Sequence, residues 1–224
     1  MKNVIITAGP TYEPLDEVRR LTNHSTGRLG TELGNFLTSK GFQVTLLRGY
    51  YTTYQGNSHA ETIIPFTTTE SLSGILQSLS ERSFDAVFHA AAVSDFRFGR
   101  IAPSDAAEND SHTHTGKWST RTGNLIAELI PTMKILGTLR SLFRTSMIVG
   151  WKYEVDGDQA SAIKQGSAQL ESNATDLSIV NGPAYGNGFA LMRPGLPTIH
   201  AESHDALYAQ LLSNLEQHAG KHSH

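Results

Sequence analysis

An apolar run, Val4-Ile-Ile6, leads into a long polar loop. A helical stripe follows, Leu29, Leu33, Phe36 and Leu37, which stops at Lys40-Gly41 before a second apolar run, Val44-Thr-Leu-Leu47. This is a strand–helix–strand unit, with a glycine stop where one is expected. The connecting segment, Ile6 to Gly30, is the most constraining stretch of the chain. Its last part, Asn23-His24-Ser25-Thr26-Gly27, sits where the helix begins. A helix N-terminus offers unpaired N–H groups and the positive end of a dipole, which together attract anions. Gly27 lets the backbone approach a phosphate, Ser25 and Thr26 add hydroxyl donors, and Arg19, Arg20 and Arg28 place three cations around the loop. A site for a phosphorylated ligand is the reading these features favour. The alternative is a helix capped by Ser25 or Thr26 that binds nothing.

The strand–helix alternation continues. A weak strand at Thr62–Pro65 leads to a helix from about Thr69, with Leu72, Ile75, Leu76 and Leu79 on one face. Phe84–Ala91 is dense in apolar residues, as central parallel strands are. Leu125–Ile130 reads as a strand, and Pro131 is expected to open a helix at its favoured first position. Met147–Val149 and Leu177–Val180 are further strands around a helix at Gln159–Ser172. A hairpin is expected over Phe189–Met192 and Thr198–His200, then a final helix from about His204 to Glu216. The predicted fold class is α/β: a Rossmann-like, doubly wound, mainly parallel sheet with a C-terminal hairpin and helix. One domain over residues 1–217 is expected, with 218–224 a disordered tail. Phe98 to Gly116 is polar, acidic and without periodicity. It is expected to be a mobile loop that closes over the site and delivers Lys117.

The net charge of −3 and pI near 6.3 argue against a nucleic-acid surface. No apolar run approaches the roughly 20 residues a membrane span needs, and no signal peptide precedes the first strand. The absence of cysteine excludes disulfides, cysteine nucleophiles and cysteine metal sites, and fits a reducing cytoplasm. The ten histidines, His112, His114, His218, His222 and His224 among them, have no carboxylate partner at helical metal-site spacing. No protein metal site is therefore expected.

The segment Ile6–Gly30 strongly resembles the nucleotide-binding opening of the phosphopantothenoylcysteine synthetase (phosphopantothenate–cysteine ligase) family. In bacteria this is usually the C-terminal half of a fusion with a flavin-dependent decarboxylase. His89-Ala-Ala-Ala-Val-Ser-Asp-Phe96 is similar to that family's second motif, and Lys117 with Leu125–Pro131 is similar to its lysine motif. Gly150-Trp-Lys-Tyr-Glu154 and Asp176-Leu-Ser-Ile-Val-Asn181 fall where the family has further strand-end motifs. The resemblance implies joining 4′-phosphopantothenate to cysteine through an acyl-nucleotide. CTP or ATP is the nucleotide, Mg²⁺ accompanies it, and the protein is a homodimer with a separate decarboxylase as possible partner. It implies that Asn23 donates to the acyl carbonyl and that Lys117 promotes acyl-nucleotide formation. Gly9, Ser25, Thr26, Gly27, Arg28, Ala91, Asp95 and Trp151 would surround the nucleotide and its phosphates.

Three positions depart from the bacterial pattern. The lysine run is reduced to Lys117-Trp-Ser-Thr120, the basic residues ahead of Asp176 are replaced by Glu171-Ser-Asn-Ala174, and Tyr12 stands where many members have arginine. Choice between CTP and ATP stays open on these residues. A diverged member that binds nucleotide without making the amide is the second reading. An NAD(P)-dependent oxidoreductase is the third. It lacks the glycine-rich signature, having only Gly9 followed by Pro10, and lacks a Tyr-x-x-x-Lys pair.

Overall fold

The computed structural model describes residues 2–104 and 116–221. In chain order the elements are β1 (Asn3–Pro10), β2 (Tyr12–Pro14), β3 (Arg20–Thr22), α1 (Arg28–Ser39), β4 (Gln43–Gly49), β5 (Thr62–Phe66), α2 (Thr69–Leu79), β6 (Ala86–Ala92) and β7 (Phe96–Pro103). A short 3₁₀ turn at Thr120–Thr122 precedes β8 (Leu125–Pro131), α3 (Ile135–Leu142), β9 (Met147–Tyr153), α4 (Gln159–Asn173), β10 (Leu177–Asn181), β11 (Phe189–Arg193), β12 (Leu196–Ala201) and α5 (His204–Lys221).

Eight strands make the central sheet, in the order β12-β11-β10-β9-β6-β1-β4-β5. The pairs from β10 to β5 are parallel, and β11 is antiparallel to both neighbours. Period-two alternation sorts the strand residues between two layers. Val4, Ile6, Val44, Phe88, Val149 and Ile179 face α1 and α5. Ile5, Leu47, Val87 and Ile148 face α2 and α3, and Val180 and Met192 continue that face under α4. Phe88 and Leu46 are wholly buried, each worth about 1.5–3 kcal/mol over exposure. This is the α/β doubly wound architecture predicted from the strand–helix alternation.

Several expectations are corrected. Leu125–Ile130 is a strand, but β8 pairs with β7 in a separate antiparallel ribbon rather than joining the sheet. An apolar run signals a strand without saying which sheet it joins. Likewise Phe98–Pro103 belongs to β7 and is not structureless. A register shift between Phe98 and Ile101, around Gly99-Arg100, breaks the alternation that would have revealed it. Pro131 ends β8, and the helix starts only at Ile135. Residues 105–115, the rest of the expected mobile loop, lie outside the described residues. The final helix passes the boundary expected after Gln217, and His218 Nε2 donates to the Thr145 carbonyl at 3.0 Å. Residues 222–224 also lie outside the described residues.

His89 is buried in the middle of this sheet. Thr7 Oγ1 accepts from the Ala91 N–H at 3.0 Å and shares a hydrogen bond with His89 Nδ1 at 2.9 Å. Burial pushes the His89 pKa down from 6.5 to about 4. An unfolded histidine takes up a proton below pH 6.5 that the folded one refuses until about pH 4. Stability present above pH 6.5 therefore falls across that window, by up to about 3 kcal/mol. Urea midpoints of His89→Gln should decline less steeply between those pH values than those of the wild type. Parallel curves would remove His89 from the pH response.

Candidate functional site at the sheet switch point

From β1 the chain winds outward to β4 and β5, then returns to lay β6 on the other side of β1. Open α/β sheets bind ligands at such a reversal, beyond the strand carboxyl ends. Here Gly9 and Ala91 are register partners at the ends of β1 and β6. Gly9 and Gly27 both have positive φ, 85° and 77°. A Cβ on Gly9 would lie 2.1 Å from Thr52 Oγ1, and one on Gly27 would lie 2.6 Å from Thr52 Cγ2 and 3.2 Å from Gly9 Cα. The two glycines, one from each end of the loop, are thus packed together around Thr52, and no other residue type fits either place. Gly30 does the same for helix and strand, its Cβ position being 2.6 Å from that of Ala8. The first turn of α1 therefore rests directly on β1.

The connecting segment is not a free loop. β2 and β3 form a small hairpin. Thr22 Oγ1 donates to the Thr11 carbonyl at 2.8 Å, and Thr11 Oγ1 accepts from Ser94 N at 2.8 Å. Glu13 is buried and accepts from Thr69 N at 3.0 Å, at the start of α2. Asn23, just past β3, donates from Nδ2 to the Val93 carbonyl at 3.0 Å, bridging the loop to the end of β6. Neither Ser25 nor Thr26 is the N-cap of α1. Gly27 holds that position and supplies no side-chain bond, while Thr26 Oγ1 accepts from Arg28 N at 3.2 Å. Arg28 is turned along the helix, Nε donating to Glu32 at 2.8 Å, and Glu32 also accepts from the Tyr54 hydroxyl. Arg20 lies over Tyr51 and Tyr12, 4.1 and 5.2 Å from the ring centroids.

Lys117 is exposed, and both of its neighbours are tied to the turn at Leu15–Arg19. Glu17 N donates to the Gly116 carbonyl at 3.4 Å. On the other side, Trp118 N donates to Asp16 at 3.2 Å, and Arg19 Nη2 donates to the Trp118 carbonyl at 2.9 Å. Asp16 is the hub. Its side chain has no exposure, and it also accepts from Val18 N, Arg19 N and the Arg19 guanidinium. The Arg19 hydrogen bonds, ahead of the backbone donors, hold its carboxyl well below the usual range. Asp16 was missed in the sequence, although an aspartate two and three residues ahead of free N–H groups is a turn signal.

Trp151, near the end of β9, is half-buried against the core on the α1 side, and its Nε1 is buried with no partner among the described residues. Asp95 is exposed beyond β6 and ion-paired to Lys134, the residue before α3. Lys134 was also missed. Starting the helix at Pro131 assigned it to the wrong side of the turn. Among the described residues no group of three or more His, Asp or Glu side chains is arranged to hold a metal ion, and no helix is long and apolar enough to cross a membrane.

A doubly wound sheet whose first strand–helix connection packs two positive-φ glycines together at the switch point defines a Rossmann-like protein. The chain belongs to the DNA/pantothenate metabolism flavoprotein C-terminal domain family, which matches residues 1–210. It is 32% identical over 181 residues to the coenzyme A biosynthesis bifunctional protein CoaBC of Thermococcus kodakarensis, covering 80% of this chain and 41% of that protein. The chain thus spans less than half the length of the curated relatives it matches. The DNA/pantothenate metabolism flavoprotein from Streptococcus pneumoniae superposes with a TM-score of 0.82 at 23% identity, over 97% of this chain and 99% of that one. A Cab2 mutant in complex with phosphopantothenate-cysteine gives 0.74 at 18% identity, over 98% and 88%. Both likenesses establish the fold.

Proposed function

We propose that this chain ligates 4′-phosphopantothenate to L-cysteine through an acyl-nucleotide. The observation that carries the reading is the Asn23–Val93 bond. It joins the two motifs that most resemble the family, the loop before α1 and the end of β6, at the sheet's switch point. The names of the CoaBC relatives support a place in coenzyme A biosynthesis, and the phosphopantothenate-cysteine in complex with the Cab2 mutant supports these substrates.

The chemistry has two halves. A substrate carboxylate oxygen attacks the nucleotide α-phosphorus, the α–β bridging bond breaks, and pyrophosphate leaves. The cysteine amine then attacks the acyl carbon, giving a tetrahedral oxyanion; its nitrogen loses a proton to solvent, and the intermediate collapses to the amide as the nucleoside monophosphate departs with the electron pair. N–H donors at the loop–α1 junction and Lys117 would bear the phosphate charge, and Asn23 the oxyanion. The Asn23 amide has two hydrogens; one is given to Val93 and the second is available. Mg²⁺ would arrive with the triphosphate, since it needs only one or two carboxylates besides phosphate oxygens, and Asp95 is an exposed carboxylate beyond β6.

A homodimer is part of this reading. The β7–β8 ribbon exposes Phe96 and Leu129 on one face, and Met133 is exposed in the turn after it; that face is the one a second copy of the chain would cover. The test is a panel. Pyrophosphate release is measured with CTP or ATP, with and without phosphopantothenate, and amide formation after cysteine is added, on material sized by sedimentation. The expected result is pyrophosphate release that requires phosphopantothenate, from a particle of two chains. Nucleotide binding without pyrophosphate release would favour a diverged, non-ligating member, and a single-chain particle would remove the dimer.

A further inference from the structure

Residues from four segments share one hydrogen-bonded frame at the carboxyl end of β6, beside the sheet's switch point. Thr132 N donates to the Asp95 carbonyl at 2.9 Å, and Thr132 Oγ1 donates to the Ser94 carbonyl at 2.5 Å. Ser94 N is bonded to Thr11, and Val93 to Asn23. Lys134 follows two residues after Thr132, and its side chain does not cap α3. Its ammonium reaches back to Asp95 instead, with both side chains about 70% exposed, 72% and 69%. So exposed an ion pair contributes little to stability. What it does is hold a cation over the same frame that positions Asn23. An ammonium has three hydrogens, and Asp95 engages it from one side only.

We propose that Lys134 is an anion-binding residue of the active site, poised by Asp95 to take a phosphate oxygen of the substrates. This rests on the ligase reading above. It also answers a deficit in the sequence, where the lysine run is reduced to Lys117 and the segment before Asp176 has no basic residue. The phosphate belongs either to the nucleotide or to phosphopantothenate, and separate titrations distinguish them.

The experiment is calorimetric titration of the full chain, as wild type, Lys134→Met and Lys134→Arg, with CTP, ATP and phosphopantothenate individually, at low and high salt. A charge-assisted hydrogen bond is worth about tenfold or more in affinity. Lys134→Met should therefore lose at least about tenfold for one ligand and little for the other, with a shallower salt dependence for the affected one. Lys134→Arg should restore most of the loss, and the melting temperatures should match, because the side chain is exposed. Wild-type affinity of Lys134→Met for every ligand overturns the proposal and leaves the ligase reading standing. So does an equal loss for all ligands accompanied by a lowered melting temperature. A wild-type chain that binds none of the three overturns the ligase reading, and this proposal with it.

Discussion

Asn23→Ala should slow amide formation by about 10²-fold, the cost of losing one oxyanion-type donor, while pyrophosphate release in the first half-reaction continues at the wild-type rate. The asparagine is exposed just past β3 and, among the described residues, makes a single side-chain bond, from Nδ2 to the Val93 carbonyl at 3.0 Å. Removing it leaves the core intact, so the loss is one of chemistry and not of folding. The second amide hydrogen is the one at issue, because the negative charge on the acyl oxygen grows only as the cysteine amine adds. A donor aimed at that oxygen stabilises the transition state more than the ground state, so the deficit belongs in kcat for the second step. The acyl-nucleotide should accumulate in quenched samples. Asn23→Asp, which keeps the shape and loses the donor, should behave alike. Normal turnover in both variants would take Asn23 out of the mechanism. Slowed pyrophosphate release in both would move it to the first step.

Much of this arrangement was legible in the sequence, because parallel strands buried on both faces read as apolar runs and helices on one face read as stripes. Val4–Ile6, Val44–Leu47 and Phe84–Ala91 are the centre of the sheet, and Gly9 and Ala91 meet at its switch point. The β7–β8 ribbon was not legible, since its strands lie outside the sheet and Gly99-Arg100 interrupts the alternation. Nor was the hairpin inside the first loop, where three-residue strands are too short to show a period. The cations were read as a cluster, but charge composition does not say where a side chain points. Arg28 is bonded to Glu32 and Arg19 to Asp16, whereas Lys134, distant in sequence, stands beside Asp95. Spacing locates backbone; the partner of a long charged side chain is decided by tertiary contacts that no local window contains.

The same point governs Lys117. Loss of its charge in Lys117→Gln should reduce nucleotide-dependent pyrophosphate release by about 10²–10³-fold, the range found when a preorganised donor to developing charge is removed. What distinguishes Lys117 from a lysine on a solvated loop is Asp16. The carboxylate is fully covered, bonded to Trp118 N on one side and to the 16–19 turn on the other, while the Gly116 carbonyl accepts from Glu17. Lys117 is thus held between two anchors beside the loop that leads to Asn23, and is placed before any closure of the segment ahead of it. Asp16→Ala keeps the lysine and removes an anchor, leaving Arg19 without its carboxylate. Its pyrophosphate release should fall by a smaller factor, about tenfold, through lost positioning. Combining the two substitutions should cost little more than Lys117→Gln alone, because an anchor has no effect once the group it positions is gone. Pre-steady-state pyrophosphate release in the three variants measures this. Fully additive losses would show that Asp16 supports the site through Arg19 and not through Lys117, and unaltered release in Lys117→Gln would assign the first half-reaction to another cation.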